Sequence, residues 1–161
     1  MLVVSPQCVT VYQASAVPDA DTGSGYWNYF VPIINIADPF IDYYQPQAYN
    51  DWYEFNGGTV DYLKNIYLTW RNLPDLTPGS SPLPNFNGVA EHKLVLGLMA
   101  STSAGGSAFY KDPSIINAFK EWLASNNYGL AGYMMWDSHW DTLNGKAISN
   151  AVKPTASSSA S

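Results

Sequence analysis

Four times along the chain a short apolar run gives way to a polar loop and then to a segment of helical periodicity. The first run, LVVSPQ (residues 2–7), suits a buried parallel strand, since strands covered on both faces read as nearly unbroken apolar stretches. The polar loop PDADTGSG follows, and then YWNYFVPIINIA, in which Trp27, Phe30, Ile33 and Ile34 have roughly helical spacing despite Pro32. IDYYQPQAYN (41–50) is the second strand. Behind it NGGTVDYLKNIYLTW predicts an amphipathic helix, with Thr59 as N-cap and Leu63, Ile66, Tyr67 and Trp70 at i, i+3, i+4 and i+7. A Pro/Gly/Ser-rich stretch, DLTPGSSPLPNFNG, is expected to be the least structured part of the middle. KLVLGLMAS (93–101) is the third strand, and Asp112 and Pro113 mark the cap and first position of the helix that follows its loop. LAGYMMW is the fourth strand, and Asp141 is placed to cap a last helix over about 142–152.

Alternating strands and helices predict an α/β fold, a parallel sheet with right-handed crossovers. Four such units make half of a (β/α)8 barrel of TIM type, whose complete form takes about 250 residues. A doubly wound sheet would carry a Gly-rich phosphate turn after its first strand, and SPQCVTVYQ has none. Half a barrel leaves two strand edges open, so a partner is expected, either the remainder of a longer protein or a separate chain. The half barrel is assigned to residues 1–152, and 153–161 read as a polar, Ser-rich tail or linker.

Composition narrows the chemistry. A net charge of −6 with only 7 Lys plus Arg argues against nucleic acid or an anionic membrane as partner. No run reaches the roughly 18 apolar residues of a membrane span. MLVVSPQ lacks the basic start and long apolar stretch of a signal peptide, and reads as a start inside a structural element. The 6 Trp, 12 Tyr and 6 Phe fit either an aromatic-rich core or stacking against flat apolar faces such as sugar rings. Cys8, the single cysteine, reads as a small core residue.

In a barrel, function collects at the C-terminal strand ends, here 5–7, 47–50, 99–101 and 136–137. Period-2 alternation puts Gln47 and Tyr49 on one side, with Asn50 at the rim. These are either a binding surface for hydroxyl and amide groups, or buried polar residues that satisfy one another. His92 and His139 lie on different loops with no carboxylate at metal-ligand spacing, so neither metal nor cofactor is expected. Ser5 and Ser101 lack a G-x-S-x-G elbow.

Four motifs in order carry a resemblance over nearly the whole chain: SPQ after an apolar strand, QPQAYN, KLVLGLMAS…AGGSAF, and GYMMWDSHWD. Together they resemble the last four βα units, strands 5 to 8 with their helices, of a bacterial chitinase of glycoside hydrolase family 18. VSPQ resembles the family's Met-Ala-Pro-type end of strand 5, with Val4 and Ser5 substituted. Gln47, Tyr49 and Asn50 match its Gln-x-Tyr-Asn end of strand 6. Gly97, Leu98, Met99 and Ala100 resemble Gly-Leu-Pro-Ala, with Met99 in place of Pro. Gly132, Met134, Trp136, Trp140 and Asp141 match Gly-x-Met-x-Trp followed by Trp-Asp.

The resemblance implies hydrolysis, with retention, of β-linked N-acetylglucosamine polymers. The substrate's own acetamido oxygen forms an oxazolinium intermediate. Tyr49 would hold that acetamide as the catalytic residue, and Trp136 would be the floor on which the sugar stacks. Gln47 and Asn50 would contact the same sugar, with Gln7 and Met99 completing the substrate-binding set. The family's general acid, the Glu of an Asp-x-x-Asp-x-Asp-x-Glu motif on strand 4, has no counterpart among Glu54, Glu91 and Glu121. The resemblance therefore implies a chain inactive alone, with the N-terminal half of the same barrel as partner, chitin or its oligosaccharides as ligand, and secretion. Two alternatives share the motifs: a non-catalytic glycan-binding, lectin-like module, and an endo-β-N-acetylglucosaminidase acting on N-glycans.

Overall fold

The computed structural model describes residues 1–11, 28–50 and 57–154. Two parallel strand pairs form its sheet. β1 (Val3–Val4) pairs with β2 (Tyr43–Tyr44), and β3 (Val95–Met99) with β4 (Gly132–Trp136). Bridges Gln7–Gln47, Tyr44–Leu94 and Gln47–Gly97 extend the first pair and join it to the second, so the strands run β1–β2–β3–β4, all parallel. The two strands read as long, 2–7 and 41–50, are short in the ladder because Pro6 and Pro46 each withhold an amide. At Pro6 the missing donor is replaced. The Ser5 hydroxyl donates to Gln45 O at 3.0 Å, the carbonyl that a residue-6 amide would reach in this register.

Among the described residues, helices cover one face of the sheet. α1 (Phe30–Ala37), α2 (Val60–Trp70), α3 (Pro113–Ser125), α4 (Ser138–Leu143) and α5 (Ala147–Val152) accompany the strands, α2 packing on α3 and α3 on α5. The core lies between them and the sheet. Leu94, just before β3, Leu96 and Leu98 of β3, Tyr44 and Ala48 from β2 and its continuation, and Leu63, Tyr67, Trp70, Ile116 and Phe119 of α2 and α3 are all fully buried in it. Tyr133 and Met135 pack against this cluster, whereas the alternate residues Met134 and Trp136 stand outside it. Two helices start as their sequences predict. Thr59 Oγ1 accepts from Tyr62 N at 3.3 Å, and Asp112 Oδ1 from Ser114 N at 2.9 Å. The capped hydrogen bond holds the Asp112 carboxyl below its ordinary range. Cys8 is a buried core residue, its Sγ 3.4 Å from the Tyr62 hydroxyl.

Three expectations are corrected. The first helix buries Ile34, but Ile33 and Ile36 are 44% and 78% exposed; Trp27 lies outside the described residues. Residues 75–88 are a packed loop. The Asn72 side chain donates to Leu83 O and Phe86 O and accepts from Leu83 N, drawing Leu83 and Phe86 into the core. Gly88 lets this loop pass the end of α2, since a Cβ there would lie 2.3 Å from Arg71 O and its φ is +75°. The last helix is two helices, broken where Gly145 and Lys146 take φ of 65° and 59°. Asp137, not Asp141, caps α4, accepting from Trp140 N at 3.2 Å. Asp141 is buried beneath the break. Its carboxylate accepts from Ile148 N at 3.0 Å, Ser149 N at 3.3 Å and the Ser149 hydroxyl, holding the first turn of α5. α5 ends at Val152, and most of the proposed tail, 155–161, lies outside the described residues.

Two outcomes follow from this core. Asp141→Ala leaves two buried amides without an acceptor and should cost roughly 2–4 kcal/mol. Asp137→Ala, the loss of an ordinary cap, should cost about 1 kcal/mol. Urea titrations at unchanged slope check the difference. The second outcome concerns alkali. Burial raises the phenols of Tyr44 and Tyr133, and raises Tyr67 to about 12, helped by the neighbouring Glu91 carboxylate. A phenol raised by burial keeps its proton in the folded chain, whereas the unfolded chain releases it near about pH 10. The stabilisation is complete below that pH and is lost as pH rises above it. Tyrosinate absorbance should therefore rise in two waves, the second coinciding with loss of far-ultraviolet dichroism. A single wave near about pH 10 in a folded protein would contradict this.

Candidate functional site

The uncovered face of the sheet carries the residues that alternate with the core positions. Register places Ser5 beside Gln45 and Val95, then Gln7 beside Gln47, Gly97 and Met134, then Met99 beside Trp136, with Tyr49 following Gln47. Gln47 is held from both sides. Its amide donates to Pro6 O at 2.9 Å, its carbonyl accepts from Cys8 N at 3.4 Å, and the flanking Pro46 O and Ala48 N bond Gly97, each at 2.9 Å. Gly97 makes room for this. A Cβ there would lie 2.9 Å from Met134 Cε and 3.2 Å from the Gln47 Cα. The Gln47 side chain donates to Ser5 O at 2.8 Å, so one of its N–H groups is occupied and its amide is held in place.

Trp136 closes β4. Its carbonyl accepts from Ala100 N at 2.9 Å, the peptide joining it to Asp137 is cis, and Asp137 caps α4 immediately afterwards. The Ala100 bond and the Asp137 cap hold the backbone on both sides, while Trp136 is 52% exposed. Gln47, Tyr49 and Trp136 meet in one cleft of about 770 Å³, lined also by Ser5, Gln45 and Met134. Gln45 was not singled out from the sequence, although the period-2 step back from Gln47 reaches it. The cleft continues to Tyr133, Met135 and Ile148, residues of the other face, and so passes around the free edge of β4.

The remaining candidates lie apart from that lining. Gln7 is half-buried in the bridge to Gln47, and Met99 is fully buried on the uncovered face. Asn50, at φ 56°, turns its amide oxygen to Gly106 N at 2.8 Å and so anchors the loop after β3. Of the glutamates, Glu91 sits at the N-terminal end of β3, 3.3 Å from Arg71, and Glu121 is exposed on α3. Glu54 lies outside the described residues. Lys111, completely buried at the end of the loop after β3, carried no signal in the sequence.

Burial raises the Tyr49 phenol above its ordinary value, so near neutrality it is a neutral hydrogen-bond donor. A neutral phenol, a carboxamide and an open indole face are a set that stacks on an apolar ring and exchanges hydrogen bonds with uncharged hydroxyl or amide groups. The described lining offers little for a phosphate or a metal ion.

No protein-family model matches the chain. A curated chitinase of Enterococcus faecalis is 26% identical over 155 residues, covering 87% of this chain and 41% of the chitinase. A family GH18 chitinase from Chromobacterium violaceum shares the fold with a TM-score of 0.67 at 19% identity, over 94% of this chain and 43% of that one. A xylanase and α-amylase inhibitor protein from Scadoxus multiflorus also shares it, with a TM-score of 0.54 at 22% identity, over 94% and 43%. The chain therefore spans about two fifths of the length of the curated relative it matches. In sequence and in fold it is similar, over nearly all of its length, to a portion of a family 18 chitinase.

Proposed function

We propose that the chain is the C-terminal half, strands 5 to 8, of a family 18 chitinase barrel that hydrolyses β-linked N-acetylglucosamine polymers. The observation that carries this reading is the meeting of Gln47, Tyr49 and Trp136 in one cleft on the uncovered sheet face. A sugar ring lying on the Trp136 indole gains stacking area without a charge. Tyr49, neutral and largely buried, donates to the acetamido oxygen and so holds it in line for attack on the anomeric carbon. Holding that oxygen under the anomeric carbon makes the first displacement intramolecular, with the protonated leaving sugar expelled and the centre inverted; water then opens the oxazolinium with a second inversion, so configuration is retained overall. Gln47 contacts the same sugar through its amide. Asn50 acts from its place on the loop anchor, and Gln7 and Met99 support the floor from the adjoining register positions.

The proton donor belongs to the remainder of the barrel. Two of the three glutamates stand away from the strand ends that form the cleft. The open edge of β4, around which the cleft runs, is where the first strand of that remainder adds. Because chitin is extracellular, the enzyme acts outside the cell. A second reading, a glycan-binding module without catalysis, draws support from the cleft lining, which holds an indole, a phenol and carboxamides but no glutamate among the described residues.

The test is a chromogenic chitobioside assay with native mass spectrometry on the same samples. The 161-residue chain alone should be silent. The protein that unites it with the rest of its barrel should be active, as loss of a general acid alone costs about 10²–10⁴ in rate. In that protein Tyr49→Phe should lower kcat about 100-fold with a small change in KM, and Trp136→Ala should worsen both. Activity of the isolated chain would contradict the proposed division of the site. An inactive complete barrel that still binds the sugar would establish the non-catalytic reading instead.

A further inference from the structure

Lys111 ends the loop between β3 and α3, one residue before the Asp112 cap, and has no exposed surface. A lysine is among the side chains least often buried completely, because its ammonium loses water that only good partners replace. Here the ammonium donates to the carbonyl oxygens of Ala48 and, at 2.7 Å, Phe109. It also lies 4.5 Å from the centre of the Tyr62 ring and 5.9 Å from that of Phe109. The Ala48 carbonyl belongs to the peptide that leads into Tyr49. The amide of the same residue bonds Gly97 O at 2.9 Å, the last bond from β2 to β3 among the described residues, and two residues later Asn50 takes φ 56°. The chain therefore leaves the sheet at Tyr49, and Lys111 grips the pivot. On the other side of Tyr49 the Asn50 amide oxygen accepts from Gly106 N, so the same loop is tied to the strand on both flanks of the phenol.

We propose that Lys111 is a positioning residue for Tyr49: by fixing the plane of the 48–49 peptide it sets where the phenol meets the acetamide of the bound sugar. This rests on the role given to Tyr49 above. A displacement of about 1 Å at such a group is enough to cost on the order of 100-fold in rate. A neutral, flexible side chain at 111 would free the Ala48 carbonyl and allow that displacement while leaving the Trp136 platform in place.

A double-mutant cycle in the protein with its barrel complete separates this role from a merely structural one. Lys111→Met should lower kcat about 10- to 100-fold with KM within about 3-fold of the unsubstituted value. The loss caused by Tyr49→Phe should then shrink from about 100-fold to less than about 5-fold in the Lys111→Met background, since the phenol is already misplaced. The ratio within one background is unaffected by the fraction of protein folded. If Lys111→Met does not fold, the cycle is run with Lys111→Gln, whose shorter, uncharged carboxamide keeps only part of the donor capacity, and a smaller shrinkage in the same direction is expected. An undiminished Tyr49→Phe loss in a folded Lys111 variant would overturn the positioning role and leave the function of the site intact. A Tyr49→Phe protein as active as the unsubstituted one would overturn the reading of Tyr49 and this inference with it.

Discussion

The register of the β2 segment between β1 and β3 decides what this molecule can do. With the described helices on one face, residues 44, 46 and 48 go under them, and 45, 47 and 49 are left to the other side. A slip of one residue would drive Gln45, Gln47 and Tyr49 into the core and bring Tyr44 and Ala48 out. Backbone bonds on both flanks of Gln47, and a hydroxyl at Ser5 that stands in for the amide Pro6 lacks, hold that register where proline weakens it. The site is thus a by-product of a packing decision, with the polar residues placed by the apolar ones.

Much of this was legible because it depends on short-range periodicity. Leu94, Leu96 and Leu98, with Tyr44 and Ala48, announce a buried face, and the caps at Thr59 and Asp112 lie where a carboxylate or hydroxyl must precede a helical run. The same period brings Gln47, Tyr49 and Trp136 into one cleft. Asp141 was misread for a physical reason. An acid five positions after the Trp at a strand end resembles an N-cap, but its burial lets it serve the amides of a second helix seven and eight residues away. The break at Gly145 and Lys146 depends on that long-range acceptor as much as on local propensity.

The loops were the least legible part. Residues 75–88 look unstructured because prolines and glycines hide the fact that one side chain, Asn72, satisfies three of their backbone groups. Lys111 is similar. Nothing in FYKDP marks a buried cation, since its partners are carbonyls that only the fold brings near. Both cases show polar side chains replacing missing ladder bonds where the chain leaves regular structure, and in the second that replacement falls on the peptide leading into Tyr49.

The central claim is that the uncovered sheet face is a sugar platform. Its most direct test is a titration of the protein, barrel complete, with a tetramer of β-linked N-acetylglucosamine, following the Trp136 indole N–H and the Tyr49 ring by nuclear magnetic resonance. The account predicts saturable shifts at both, with Gln47 moving alongside them. Saturable binding that leaves Trp136 and Tyr49 unmoved would contradict it.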